Sequence, residues 1–197
     1  MRRTIGSAIA TAAAALVLPL GIMGSAATAS PSNLSSELLR IGQMPTSWSV
    51  VSSSSGHLIG CLTTILEPKG IKRTASASVK FAQNGKLPEL NENLTSNVNG
   101  STAYKKIVTT LRGCKRVRAE SNGTIVTISV GPLSFTHHGD ASEAFAMKVT
   151  IQGIAVFEDL AVVRKGRVVM EIEEGALSIA NLNQFHGLVA QALTRLP

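Results

Sequence analysis

The stretch from Phe145 to Ile172 constrains the fold more than any other part of the chain. Three runs alternate apolar and polar side chains with the two-residue period of a strand: Phe145, Met147, Val149 and Ile151, then Val156, Leu160 and Val162, then Val168, Met170 and Ile172. Gly153 separates the first run from the second, and Lys165-Gly166 separates the second from the third. Turns that short leave no room for a crossover helix, so consecutive strands must run antiparallel and a meander is predicted.

The same reading extends upstream. Ala75, Ala77, Val79 and Phe81 alternate with polar residues and lead into Asn84-Gly85, a turn dipeptide. Residues 86–99, rich in Asn and weak in period, read as an edge strand around Leu90 to Leu94 or as a loop. Residues 114–120 and 124–130 flank Ser121-Asn122-Gly123 as a hairpin, with Val126, Ile128 and Val130 facing inward. Helical spacing appears in three places. Leu34, Leu38 and Leu39 predict a short helix ending near Ile41-Gly42, after which Met44-Pro45 breaks the chain and Trp48 anchors an extended segment. Tyr104, Ile107, Val108 and Leu111 predict a second helix, capped by Ser101 and stopped by Gly113. Leu182, Phe185, Leu188, Val189, Ala192, Leu193 and Leu196 form a wide apolar stripe that needs a sheet to cover it. The expected architecture is therefore α+β: a twisted antiparallel sheet of about five to seven strands, with helices packed on one face.

Residues 1–29 have the three parts of a cleavable export signal. Arg2 and Arg3 precede an uncharged run from Ile5 to Leu20, and small residues follow. Ala27-Thr28-Ala29 places the cut before Ser30, with Ser25-Ala26-Ala27 as the competing site. The apolar run is shorter than the roughly 20 residues a span requires, so no stable membrane span is expected after cleavage. The expected mature domain, residues 30–197, loses only Arg2 and Arg3 among charged residues and carries 17 basic against 12 acidic side chains. A chain of this length buries about 70% of its unfolded surface and needs no metal to build a core. An oxidising destination makes Cys61 and Cys114 a pair, closing a loop worth up to about 4 kcal/mol in the chain-entropy account. Two free thiols, or a thiol nucleophile, are the alternatives.

A family resemblance rests on the order of several short motifs. They are Leu38-Leu39, Met44-Pro45-Thr46-Ser47-Trp48, Cys61, a strand ending at Phe81, a helix closing on Cys114, Gly139-Asp140-Ala141-Ser142-Glu143-Ala144, and Asp159-Leu160-Ala161-Val162-Val163-Arg164-Lys165-Gly166. In this order the chain resembles the PknH-like extracellular sensor domain of actinobacteria over nearly its whole mature length. The resemblance implies an α+β domain with a cleft, found as the extracellular part of a serine/threonine kinase and in free-standing secreted proteins or lipoproteins. It implies a secreted or extracellular location, with cell-wall association as one form of it. Unlike the kinase version, this chain has one cysteine pair and no kinase segment.

Residues suited to proton transfer are few: His57, His137, His138, His186, Asp140, Asp159 and ten glutamates. His137-His138-Gly139-Asp140 is the candidate for a metal site or a base with its orienting partner, the basis for reading the chain as a secreted hydrolase. Against it, adjacent histidines on an extended segment point to opposite faces. No G-x-S-x-G or H-E-x-x-H motif is present, so no catalytic residue and no cofactor is assigned. Glu171 and Glu173 share a strand face and, with Glu158, predict an acidic patch that Arg164, Lys165 and Arg167 neutralise. Lys105, Lys106, Arg112, Lys115, Arg116 and Arg118 make a basic cluster. The few aromatics, one Trp, one Tyr and five Phe, provide no stacking platform, so nucleic acid is not an expected partner. The reading that remains is a non-catalytic binding or sensing domain of the cell envelope, with a small apolar or amphipathic ligand in a cleft. A flat protein-protein interaction module is the alternative.

Overall fold

The C-terminal meander is present as β6 (Ala141–Ile151), β7 (Ile154–Lys165) and β8 (Val168–Ala176) in the computed structural model, which describes residues 33–52, 69–121, 124–178 and 181–197. Five further strands complete one sheet: β1 (Trp48–Val51), β2 (Arg73–Gln83), β3 (Lys86–Asn97), β4 (Arg116–Ser121) and β5 (Thr124–Leu133). The order is β1-β2-β3-β8-β7-β6-β5-β4, antiparallel throughout. The tight turns use the backbone the sequence suggests. Asn84 and Gly85 have φ of 51° and 69°, and Gln152 and Gly153 have 51° and 84°, the paired positive values that match the twist of a two-residue hairpin.

Four expectations need correction. The sheet has eight strands, more than the five to seven expected. The segment around Leu90 is a twelve-residue interior strand, paired with β2 on one side and β8 on the other. The N-terminal leucines form two single 3-10 turns, Leu34–Ser36 and Ile41–Gln43, in place of one helix. The helices α1 (Gly100–Gly113) and α2 (Leu182–Leu193) cover opposite faces of the sheet.

That last arrangement follows from side-chain alternation. Leu160 and Val162 of β7 join Phe145, Met147 and Val169 in a core with Ala103, Ile107, Val108 and Leu111 of α1. The intervening Ala161 and Val163 join Phe81, Leu90, Leu94, Met170 and Ile172 in a core with Phe185, Leu188, Val189 and Ala192 of α2. Leu34, Leu38, Leu39, Met44 and Trp48 close the α2 side. Both edge strands are short, and β4 carries exposed Arg116 and Arg118, which oppose edge-to-edge pairing.

Asn99, and not Ser101, caps α1: its side chain accepts the Thr102 N–H at 2.9 Å. Gly100 then packs against the β7–β8 turn. A Cβ there would stand 2.5 Å from the Gly166 carbonyl oxygen and 2.9 Å from Arg167 Cα, both backbone atoms. Gly187, by contrast, is exposed within α2 with nothing within 4 Å of its Cβ position. Gly100→Ala is therefore expected to lower unfolding stability by about 1–3 kcal/mol, while Gly187→Ala raises it by about 0.5–1 kcal/mol. Urea unfolding of both variants checks this; a neutral Gly100→Ala would remove the close approach as a constraint.

Candidate binding cleft

The antiparallel register of β7 and β8 places Asp159 directly opposite Glu174. Like charges in such a pair repel, and here both side chains are also withdrawn from water, at 7% and 3% exposed. Asp159 Oδ2 and Glu174 Oε2 have no hydrogen-bond partner. Burial, and then the charge of Asp159, push the Glu174 carboxyl up to about 7. Burial likewise raises Asp159, partly offset by the charge of His186. Glu92 of β3 projects to the same face and is fully buried. One of its oxygens accepts the Leu39 N–H at 2.7 Å and the other is unpartnered. Burial raises its pKa to about 7 against that hydrogen bond and the charge of Arg195.

Glu174 lines a cleft of about 420 Å³ between the ends of β1, β2, β3 and β8 and the start of α2. Pro45, Trp48, Leu87, Pro88 and Leu177 supply apolar walls, and Gln83, Asn181 and Gln184 supply amides. Glu174 is the single charged side chain of the lining. Asn181 accepts the Asn183 and Gln184 N–H groups with its side chain and the Phe185 N–H with its carbonyl.

A second carboxylate group occupies the α1 face of the sheet. Burial, then the neighbouring Glu173, push Glu158 up to about 8, and these two side chains share a hydrogen bond. Burial pushes Glu171 up to about 7, opposed by a hydrogen bond with the Asn93 side chain and the charge of Arg73. The acidic patch read from the sequence is thus real, but its expected neutralisation is not. Arg164 binds Asp140 at 2.9 Å, Lys165 binds the Leu196 carbonyl at 2.6 Å, and Arg167 binds the Asn97 carbonyl at 3.1 Å. Lys80, paired with Glu89 at 2.6 Å, is the cation that acts on Glu173.

The His137-His138-Asp140 candidate does not assemble. Asp140 accepts from Arg164 and, at 2.8 Å, from the Gly166 N–H, so its carboxylate fastens the β7–β8 turn. Gly139, at φ 61°, lets the chain pass the Arg164 carbonyl where a Cβ would sit 2.5 Å away. His137 is exposed, while His138 packs on Phe135 at 5.1 Å, and His186 meets the same ring edge-on at 4.8 Å. Burial and the neighbouring His186 and His137 lower the His138 pKa. Among the described residues no three His, Cys, Asp or Glu side chains group to hold a metal ion. The basic residues of the sequence cluster are all exposed on α1 and around β4, with Arg112 bound to Glu143 at 2.7 Å. Cys114 is buried just beyond α1; the expected leader, His57, and Cys61 with its pairing to Cys114, lie outside the described residues.

By sequence the chain matches no family model and no curated protein. Its fold has a counterpart among solved structures. It is similar to the crystal structure of the extracellular domain of PknH from Mycobacterium tuberculosis, with a TM-score of 0.59 and 11% identity over 81% of this chain and 92% of that one. The Rv0999 ortholog from Mycobacterium smegmatis gives a TM-score of 0.47 at 10% identity, covering 78% of this chain and 91% of that one. The likeness to PknH establishes the fold that the motif order implied. No described helix is long and apolar enough to cross a membrane.

The raised carboxyls determine how stability responds to pH. Glu92, Glu171 and Glu174 move from 4.5 to about 7 and Glu158 to about 8, so the native state retains protons that the unfolded chain has already released. Unfolding free energy therefore falls as pH rises through that interval and levels off above it, by on the order of 3 kcal/mol for a group shifted that far. Urea unfolding from about pH 5 to about pH 8 should show the decline, and Glu174→Gln should flatten part of it. A stability that climbs over the same range would contradict the burial of these groups.

Proposed function

We propose that this chain is an exported, non-catalytic binding domain of the sensor type, which holds a small amphipathic ligand of the cell envelope in the cleft beside Glu174. The observation that carries the reading is Glu174 itself: a side chain 97% withdrawn from solvent, with one oxygen unpartnered, in the wall of an otherwise uncharged cleft. Buried polar groups without partners are rare in folded proteins, and ligand sites are where they occur. The mixed lining suits a molecule with an apolar body and one polar end. A lone titratable group in that lining supplies no acid and base pair to work on a bound molecule, which favours binding over turnover. The fold shared with an extracellular domain supports a location outside the cell, as do residues 1–29.

Incubation of the protein with an actinobacterial envelope extract, followed by mass spectrometry, should recover a bound small molecule that a denatured control does not retain. Ser178→Trp, which fills the cleft from an exposed position, should abolish retention. Equal recovery from both proteins would place binding elsewhere, and no recovery from either would end the proposal. Independently, protein collected from the medium of an expressing actinobacterium should have the intact mass of a chain beginning at Ser30, two protons lighter than the dithiol. Free thiols at Cys61 and Cys114, or an uncleaved leader, would overturn the export reading.

A further inference from the structure

We infer that the cleft recognises an organic ammonium group, held by the unpartnered carboxylate oxygen of Glu174, with its alkyl part against Trp48 and Leu177. This rests on the binding reading above and names the chemistry of its ligand.

The argument begins with what is missing around the two carboxylates. Among the described residues, the ion pairs are Lys80 with Glu89, Arg112 with Glu143 and Arg164 with Asp140, and none reaches Glu174 or Asp159. The titratable groups on the surrounding elements are Asp159 from β7, Glu92 from β3 and His186 from α2; on β6 the residue opposite Asp159 is Ala146. Arg195 acts on Glu92, and its guanidinium is held by the Glu37 and Ser36 carbonyls. A buried carboxylate is stable only when paired or protonated, so an ammonium in the cleft supplies the missing partner. An anionic ligand would meet Glu174 with no cation in the lining to receive it. A neutral alcohol would satisfy one oxygen and leave the charge unpaired. Leu177 is 63% exposed at the cleft wall, an apolar surface that an alkyl chain would cover. Trp48, packed in the core on the α2 side, also lines the cleft, and an indole ring attracts cations.

Trp48 is the one tryptophan of the chain, so its fluorescence reports occupancy of the cleft directly. The full chain should be titrated with n-hexylamine, n-hexanol and n-hexanoate at about pH 8, where Glu174 is ionised. Hexylamine should bind about tenfold to a hundredfold more tightly than either analogue, the range for gaining a charged hydrogen bond. Glu174→Gln should remove that preference; circular dichroism verifies that the variant is folded. Amine affinity should also fall as pH is lowered, because Glu174, Asp159 and Glu92 take up protons, all in the same direction. Hexanol binding as tightly as hexylamine, or an unchanged amine affinity in Glu174→Gln, overturns the inference while leaving the cleft as a binding site. Silence of Trp48 towards all three probes also overturns it, and retention from the envelope extract then decides the broader reading separately.

Discussion

The pairing of β3 with β8 is the contact on which the rest of the structure depends. Eight residue pairs, from Glu89 opposite Gly175 to Ser96 opposite Val168, join β1, β2 and β3 to the five strands that follow α1. These partners are far apart in sequence, so their closure entropy is recovered only through the contacts they enable. Those contacts are extensive. With β3 and β8 in the middle, α1 leaves the end of β3, runs across one face and delivers β4 to the far edge, while α2 returns over the other face. Central strands are then covered twice, which accounts for the unbroken apolar runs Leu160-Ala161-Val162-Val163 and Val168-Val169-Met170. The same pairing brings Leu87 and Pro88, at the start of β3, beside the Glu174 end of β8 and so forms the cleft wall.

A strand covered on both faces has no wet side, so every polar residue on β3, β7 or β8 must find a partner inside the protein or go without. Most find one. Thr95 donates to the Val169 carbonyl at 3.4 Å, Asn97 donates to the Thr95 carbonyl at 3.1 Å, and Glu171 is bonded to Asn93. Glu158 and Glu173 share a hydrogen bond with each other. Glu92, Asp159 and Glu174 are the exception, each with an oxygen unpaired on the opposite face, and the last two stand in direct register. Two carboxylate groups with similar composition thus differ in kind: one is internally bonded, and the other keeps unpaired oxygens and contributes Glu174 to the cleft lining.

Strands with a clean period of two and turns with a committed dipeptide were legible in the residues alone, and so was the stripe of α2. β3 was not, because its α1-side residues, Glu89, Asn91 and Asn93, have the composition of a loop, and only a partner strand with matching polar groups makes them acceptable inside a sheet. The two-sided cover was signalled by four consecutive apolar residues in β7, a pattern that a sheet with helices on a single face does not need. Asn99 and Ser101 are both able to cap a helix, and backbone geometry decided between them. Among the carboxylates, Glu171 and Glu173 could be grouped by their spacing, whereas the Asp159–Glu174 pair required a register. That register was within reach: stepping outward from Lys165 opposite Val168 across the Lys165-Gly166 turn leads to Asp159 opposite Glu174. Proximity in sequence pointed instead to His137, His138 and Asp140, which serve a turn and an aromatic contact.

Fold and chemistry have separate sources in this molecule. A likeness to the PknH extracellular domain at 11% identity is sustained by apolar periodicity, turn positions and helix placement, which many residue choices satisfy. The carboxylates at the β7–β8 junction contribute nothing to that pattern and work against it. A buried hydrophobic pair of similar volume would relieve both the desolvation and the repulsion, and proteins near the limit of stability have little margin for such a defect without a use for it. The proposed binding would provide the use, because any molecule that engages the native carboxylates and not the unfolded chain returns stability in proportion to the logarithm of its concentration over its dissociation constant. The end of β8 and the first turn of α2, which enclose Glu174, would then be the parts of the domain whose stability responds most to occupancy of the proposed site.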